Sequence, residues 1–381
     1  MKFGPSVFCV VLLEVSMVLI QQVIRHQRHF SPKIVKEPIF HINDNASFMS
    51  EGSIIQRTQV CSNYMHYLNN SFPKKLHKNE LNYPLAFAIS THHQVGILEL
   101  FLALSFHPMD SYCIHVDAKA NSQVHSAVAH LVKCYQWKYS GATIFTVKNP
   151  LAVYWGHYSV LQADLKCMQL LRSKNVQWRI LVNPAATELP LKPISNIRKY
   201  LKTFPNGIID SFSVPKGNKY RFNLSVELQQ AGSSFFDRRI TVTDKVKNLP
   251  PANITIRKGS KNVALPRELV DFILDSQFSH GLLKWLEDSL VPDEHFYSTI
   301  MTILKNGTQD LNTDFTHGGC VRLSWWGRGN CSGKNIRGVC NFGLGDLSEL
   351  HKNRNCLFAN KFNLQVDPLA PLVHAKYLID T

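Results

Sequence analysis

Acid is scarce in this chain: 27 Asp and Glu stand against 42 Lys and Arg, giving a formal net charge of +15 at pH 7. No Asp-x-Asp pair occurs, so the acid pair with which many sugar-nucleotide enzymes hold a divalent metal is absent. There is no GxxxxGK[ST] loop to cradle a triphosphate, and no G-x-S-x-G turn to present a nucleophilic serine. Gly343-Leu-Gly345 lacks the third glycine of a dinucleotide fingerprint. No CxxC pair is present, which argues against a zinc site and leaves no expected metal. Long apolar runs are equally scarce, with a single example from Ser6 to Ile24.

That run is close to the roughly 20 residues that span a bilayer. Glu14 and the Gln21-Gln22 pair weaken it. A cleaved signal peptide is the rival, but no small-residue cleavage site precedes Arg25. We therefore expect a short cytoplasmic tail at 1–5, an uncleaved signal anchor at 6–24, and translocation of the rest. Six Asn-x-Ser/Thr sequons, at Asn45, Asn69, Asn223, Asn253, Asn306 and Asn330, suit a lumenal address. Outside the anchor eight cysteines remain, an even number that suggests disulfides, although eight allow 105 pairings. The positive charge admits nucleic acid as a partner. The lumenal address and the scattered Lys and Arg argue instead for a nucleoside diphosphate or an anionic glycan.

Residues 25 to about 83 are polar and punctuated by Pro32, Pro38 and Pro73, and read as an irregular lumenal stem. From Pro84 the pattern changes. Leu85–Ser90, Ser111–Asp117, Ala142–Val147 and Trp178–Asn183 are short apolar runs that read as buried strands. Between them Gln94–Phe106, Asn121–Cys134 and Val160–Leu171 carry helical spacing. This alternation predicts an α/β fold, a mostly parallel sheet with helices on both faces. Ligands on such sheets bind beyond the carboxyl ends of the strands, where His92, Asp117 and Asn183 fall. Helices are expected at Leu265–Asp275 and Leu282–Leu290, and residues 300–381 read as loop-rich.

Seven segments occur in a telling order: Pro84-Leu-Ala-Phe-Ala-Ile-Ser-Thr-His-His, Tyr112-Cys-Ile-His-Val-Asp-Ala-Lys, Val160-Leu-Gln-Ala-Asp-Leu-Lys-Cys-Met, Thr187-Glu-Leu-Pro-Leu-Lys, Pro292-Asp-Glu-His-Phe-Tyr-Ser-Thr-Ile, Arg337-Gly-Val-Cys-Asn-Phe-Gly-Leu-Gly-Asp-Leu and Leu357-Phe-Ala-Asn-Lys-Phe. Together, over roughly residues 58–370, they resemble the core-2/I-branching β1,6-N-acetylglucosaminyltransferase family. The resemblance implies a GT-A type fold at 84–381, with a loop-rich, disulfide-bonded C-terminal acceptor region. It implies a Golgi membrane enzyme of type II topology. The reaction implied is an inverting transfer from a UDP-sugar to an O-glycan or glycoprotein acceptor such as Galβ1-3GalNAc, with neither cofactor nor metal.

Residue roles follow from the same resemblance. Glu294 matches the catalytic base; alone, Pro-Asp-Glu would read as a helix start. Direct displacement at the anomeric carbon needs one base to take the acceptor proton. Arg337 and Lys361 match the basic residues on the UDP diphosphate, where fixed cations replace a metal. Asp117 aligns with a uridine or ribose contact, Ser90 and His92 close the first strand at the nucleotide edge, and Trp155-Gly156 resembles a donor-side motif. Trp155 could equally be a core residue. The resemblance also implies the disulfides Cys61–Cys134, Cys113–Cys167 and Cys331–Cys340. Cys320 and Cys356 have no counterpart and, as the remaining two, are expected to pair.

The acceptor side departs from the pattern. Lys216-Gly-Asn-Lys219-Tyr220-Arg221 has Lys219 where the family has an arginine able to make a bidentate contact. Ser324-Trp325-Trp326 puts Trp326 where an aromatic hydroxyl is usual, and Ala185 replaces a cysteine. Lys216, Lys219 and Trp326 are the candidate acceptor contacts. The donor hexose is left open, with glucose and xylose as alternatives to GlcNAc. A peptide O-xylosyltransferase-like enzyme and a catalytically silent glycan-binding protein are the competing readings.

Overall fold

Leu85, Ala86, Phe87, Ala88 and Ile89 are all buried, because their strand has protein on both faces. A computed structural model of the chain describes residues 48–73, 83–174, 176–305, 319–327, 329–353 and 355–381. The expected tail, the anchor and the sequons at Asn45 and Asn306 lie outside the described residues. Among those described, no helix is long and apolar enough to cross a membrane.

Strand β1 (Leu85–Thr91) is central in a five-stranded sheet of order β10-β4-β1-β2-β3. β2 (Ser111–Val116), β3 (Thr143–Thr146) and β4 (Ile180–Val182) run parallel to it, as the alternation of apolar runs and helices predicts. The edge strand β10 (Ala264–Pro266) is antiparallel to β4. It takes Leu265 into the sheet, so the helix expected from Leu265 begins at Arg267. The next helix is displaced as well: Gln277–Leu286 replaces the expected Leu282–Leu290, and Ser276 caps it by accepting from Ser279 N–H.

Odd and even positions of β1 serve opposite layers. Phe87 stacks on Tyr112 and meets Phe101 edge-on. Ala86 and Ala88 face the other core, formed with Leu161, Leu165, Met168, Val270 and Ile273.

The stretch expected to be an irregular stem holds two helices, α1 (Glu51–Arg57) and α2 (Cys61–Ser71). Both pack on α4 (Ser122–Lys138), following α3 (Val95–Ser105) in the sheet unit. The cause is electrostatic as well as apolar. Helix α3 is buried along nearly its whole length and carries Glu99, which would be an unpaired interior charge. Arg57 reaches in from α1 with a bidentate ion pair, its Nε donating to Glu99 Oε1 at 2.9 Å. The polar sequence of this region is its outer face, while Ile54, Tyr64, Met65 and Leu68 form the inner stripe.

The C-terminal part is more ordered than its composition suggests. β11 (Cys320–Ser324), β14 (Cys356–Asn360) and β5 (Leu189–Pro190) form a second sheet. Helix Leu369–Asp380 closes the chain against α3. Four disulfides join Cys61–Cys134, Cys113–Cys167, Cys320–Cys356 and Cys331–Cys340, the same four pairs expected above. Cys320 and Cys356 are direct partners in the parallel register of β11 and β14, which brings their side chains together. Loop-closure entropy makes the 73-residue bridge Cys61–Cys134 the most stabilising, about 4 kcal/mol, against about 2.5 kcal/mol for the 9-residue bridge Cys331–Cys340.

Candidate active site

Strand order reverses between β1 and β4, and sheets of this kind take ligands beyond the carboxyl ends of the strands at such a point. Ser90 stands there, bridged to Ala185, and its carbonyl accepts from Ala186 N–H at 2.9 Å. His92 and His93 follow, stacked at 3.9 Å. Burial, then the nearby charge of Lys361, pushes the His92 imidazole down. Burial takes His93 to about 4.

Asp117 follows β2 and is buried. Its Oδ1 accepts from Lys119 N–H at 2.9 Å and from Val153 N–H at 3.3 Å, and its Oδ2 accepts from Lys119 Nζ at 2.6 Å. The Lys119 ammonium also donates to the Val153 carbonyl and lies over the Tyr154 ring. Asp117 thus holds the 151–157 loop in place. Asn183, read as a strand-end candidate, is buried and structural: its side-chain amide donates to Asp164 Oδ2 at 2.8 Å, its Oδ1 accepts from Val263 N–H at 2.8 Å, and its main-chain carbonyl accepts from Asn262 Nδ2.

Arg337 and Lys361 are brought together from different elements. Lys361 directly follows β14, and its carbonyl accepts from Phe342 N–H at 2.9 Å. Arg337 heads the two-residue turn of a hairpin made by β12 (Lys334–Ile336) and β13 (Val339–Asn341). Such turns need positive φ at both central residues. Arg337 has φ 53 and Gly338 φ 81. Glycine meets this requirement freely; arginine does so at a cost, and strained non-glycine positions of this kind cluster at functional sites. Cys331–Cys340 clamps the hairpin's base. Burial, and then the Arg337 guanidinium, lowers the Lys361 ammonium. The Arg337 hairpin and Lys361 thus bring two cations to one region, an arrangement suited to an anion.

Glu294 ends a single 3-10 turn, Pro292–Glu294. Its Oε2 accepts from Arg221 Nη1 at 2.6 Å and lies 3.3 Å from Lys258 Nζ. The side chain is 28% exposed, so a substrate can reach it. The turn is held by its neighbours: Val291 N–H donates to the Gly156 carbonyl, and Leu290 N–H donates to the Arg221 carbonyl. Backbone hydrogen bonds thus tie the Trp155-Gly156 loop, the turn bearing Arg221 and the turn bearing Glu294 to one another. Beside Glu294, burial raises the Asp293 carboxyl to about 6 and lowers the His295 imidazole to about 4. His295 Nδ1 is 2.8 Å from the Arg257 carbonyl, which fixes the ring.

The remaining sequence candidates are dispersed on the surface. Lys216 and Lys219 are exposed and flank a 3-10 turn, Lys216–Asn218. Trp326 is exposed and bridges to Val339 beside the Arg337 hairpin, whereas Trp325 is buried. Trp155 is 79% exposed, so the core reading of it is corrected. Asn69, Asn223 and Asn330 are exposed, as a glycosylation site requires.

Sequence reasoning missed Lys119, Arg221, Lys258 and Lys261. Arg221 was visible as the last residue of the Lys216–Arg221 basic stretch; nothing local marked Lys258. Lys261 pairs with Asp164 at 3.3 Å beneath the base turn. Among the described residues one group has the reach of a metal site: Cys331, Cys340 and Asp346. Both sulfurs are joined in the disulfide, and the Asp346 carboxylate accepts from the N–H groups of Ser332, Gly333 and Gly343.

Comparison with known proteins gives a consistent relationship. The family model for the Core-2/I-branching enzymes matches residues 85–351. A human protein named N-acetyllactosaminide beta-1,6-N-acetylglucosaminyl-transferase is 32% identical over 320 residues, 81% of this chain and 75% of its own. A mouse protein named beta-1,3-galactosyl-O-glycosyl-glycoprotein beta-1,6-N-acetylglucosaminyltransferase 4 is 27% identical over 332 residues, 84% of this chain and 71% of its own. A crystal structure from Bacillus anthracis, described as a glucose-1-phosphate thymidylyltransferase, covers 52% of this chain and 77% of its own at 12% identity with a TM-score of 0.24, too weak to argue from. With a matched domain that takes in β1, the Glu294 turn and the Arg337 hairpin, the chain belongs to the Core-2/I-branching enzyme family and is a glycosyltransferase.

Proposed function

We propose that the chain transfers a sugar, GlcNAc or a related hexose such as glucose, from a UDP donor in β1,6 linkage to an O-glycan core such as Galβ1-3GalNAc. Both named relatives are β1,6-N-acetylglucosaminyltransferases, which supports the linkage. The observation that carries the mechanism is the backbone tie between the Arg337 hairpin and Lys361, where Phe342 N–H, just after the hairpin, donates to the Lys361 carbonyl at 2.9 Å. Two cations there suit a diphosphate whose charge grows as it leaves, without a metal. The α/β half fits a GT-A type domain with uridine near Ser90, His92 and Asp117. Glu294 is the general base. Arg221 and Lys258 both engage Oε2, which leaves Oε1 for the acceptor hydroxyl. As the hydroxyl oxygen attacks the anomeric carbon, its proton passes to Oε1, the bond to the UDP oxygen breaks, and the configuration inverts. We assign the enzyme to the Golgi membrane, lumen-facing, from its family membership together with the apolar run at 6–24 and the sequons.

The test is a transfer assay with EDTA present, offering Galβ1-3GalNAc-aryl and a panel of UDP-sugars. A β1,6-linked product is expected with one donor, its configuration read from the anomeric proton coupling and its position from methylation analysis. A product of retained configuration, or transfer that returns only with added Mn²⁺, contradicts the mechanism.

A further inference from the structure

The surroundings of Glu294 hold more positive charge than the base can balance. Arg221 and Lys258 share the one Glu294 carboxylate. Lys216 and Lys219, on the turn that leads into Arg221, are exposed and form no ion pair among the described residues. Two cations thus engage the acid, and two more stand exposed on the turn that leads into Arg221. These are not scattered surface lysines, because the backbone fixes them to the base. Ser213 pairs with Arg257 and Phe212 with Lys258 in a two-stranded ladder, so Lys258 and the start of the Lys216 turn leave the same strand pair. The Lys219 carbonyl accepts from Asn223 N–H, and the Arg221 carbonyl accepts from Leu290 N–H, two residues before the Glu294 turn begins at Pro292. Phe222 packs edge-on against His295 at 5.3 Å, which holds the lysine turn over the Glu294 segment. Tyr220 stands exposed between Lys219 and Arg221, an aromatic face of the sort on which a sugar ring lies.

The other charged groups do not change this balance. Lys261 is engaged with Asp164. Burial raises both Asp293 and Asp210, which favours their uncharged forms. The donor's diphosphate does not account for the cluster either, since Arg337 and Lys361 form their own pair of cations.

We propose that the acceptor is anionic: it carries a carboxylate or sulfate close to the hydroxyl that receives the sugar, bound by Lys216 and Lys219 with Arg221 and Lys258 behind them. This rests on the transfer reading above and narrows its substrate class. Neutral acceptors fill the aromatic and hydroxyl contacts but leave the lysines unpaired. Charge would act mainly on binding and on encounter rate, and would be screened by salt.

The experiment compares three acceptors with the full-length chain and UDP-GlcNAc: neutral Galβ1-3GalNAc-aryl, the same disaccharide bearing a sulfate or a sialic acid on galactose, and the neutral disaccharide on a peptide with acidic flanks. A KM about tenfold lower for a charged acceptor is expected at low salt, with the gap closing as salt is raised. In Lys216→Gln/Lys219→Gln the charged and neutral acceptors should fall within about twofold of each other. If the gain comes only with the acidic peptide, the charge is supplied by the polypeptide; if only with the modified galactose, by the glycan. Equal KM for all three, or a preference untouched by salt and by the double substitution, overturns the proposal. Saturation-transfer binding of the three acceptors to the UDP-loaded protein separates the two readings. Absence of turnover despite a charged-acceptor binding preference would count against the transfer reading alone. Equal binding would sink this one.

Discussion

The two sides of the cleft are built differently. On the proposed donor side, Ser90, His92 and Asp117 end buried strands, and Arg337 and Lys361 sit on a disulfide-clamped hairpin and a buried strand end. On the proposed acceptor side, Lys216, Lys219, Tyr220 and Trp326 are exposed. Uridine diphosphate is a fixed ligand, and rigid elements can be matched to it. Acceptors vary, and exposed turns can change without disturbing a core. The turn that bears Glu294 is tied to both the Gly156 loop and the Arg221 turn, through Val291 and Leu290 N–H.

The largest effect should separate the base from both sides. Glu294→Gln is expected to reduce kcat about 10³-fold while UDP affinity is retained, read by single-turnover transfer beside calorimetry. Transfer at near wild-type rate would remove Glu294 from the chemistry.

Next is the grip on the base. Arg221→Gln should lower kcat about tenfold with a smaller change in donor KM, and Arg221→Lys should restore most of it. A change confined to donor KM would place Arg221 on the donor side and break the division.

The clamp comes third. Cys331→Ser/Cys340→Ser is expected to cost about 2.5 kcal/mol at most in denaturant unfolding. UDP should weaken more than acceptor, because Arg337 heads the hairpin. Equal weakening of both would show that the bridge serves the fold alone.

The smallest contrast is in acid, and both sides share it. Burial lowers His93 and His295 to about 4 and His374 to about 3. In the unfolded chain these imidazoles take protons as pH falls through about 6.5, while the folded chain refuses them, so stability declines from there downward. His374 is fully buried, with Nε2 bonded to the Pro190 carbonyl at 2.8 Å. It alone should contribute about 1 kcal/mol of loss per pH unit below 6.5, until the pH nears its folded value. Urea midpoints between pH 7 and 5 would show it, and a flat profile would contradict it.

Much of the sheet was legible because buried parallel strands are continuous apolar runs, as Leu85–Ile89 and Ile180–Val182 are. Helices α1 and α2 were not, since each buries only a narrow stripe and much of what they cover is itself polar, Glu99 with its Arg57 partner. The second sheet was hidden by strands of two to five residues, too short to show a period. Of the site, Glu294, Arg337 and Lys361 could be named because each sits in a local motif. The contact of Arg221 with Glu294 spans 73 residues, and no local pattern carries it. The strain at Arg337 was equally invisible, because an Arg-Gly dipeptide announces a turn but not a positive φ at the arginine.

The central claim is that fixed cations do on the donor side what a metal does in enzymes with an acid pair. The most direct measurement is UDP affinity by titration calorimetry in EDTA, for the wild-type chain beside Arg337→Ala and Lys361→Ala. The account predicts that the wild type binds UDP without any divalent ion and that each substitution weakens binding or transfer about 100-fold. Wild-type binding that appears only with added Mn²⁺ or Mg²⁺, or substituted chains that bind and transfer as well as the wild type, would contradict it.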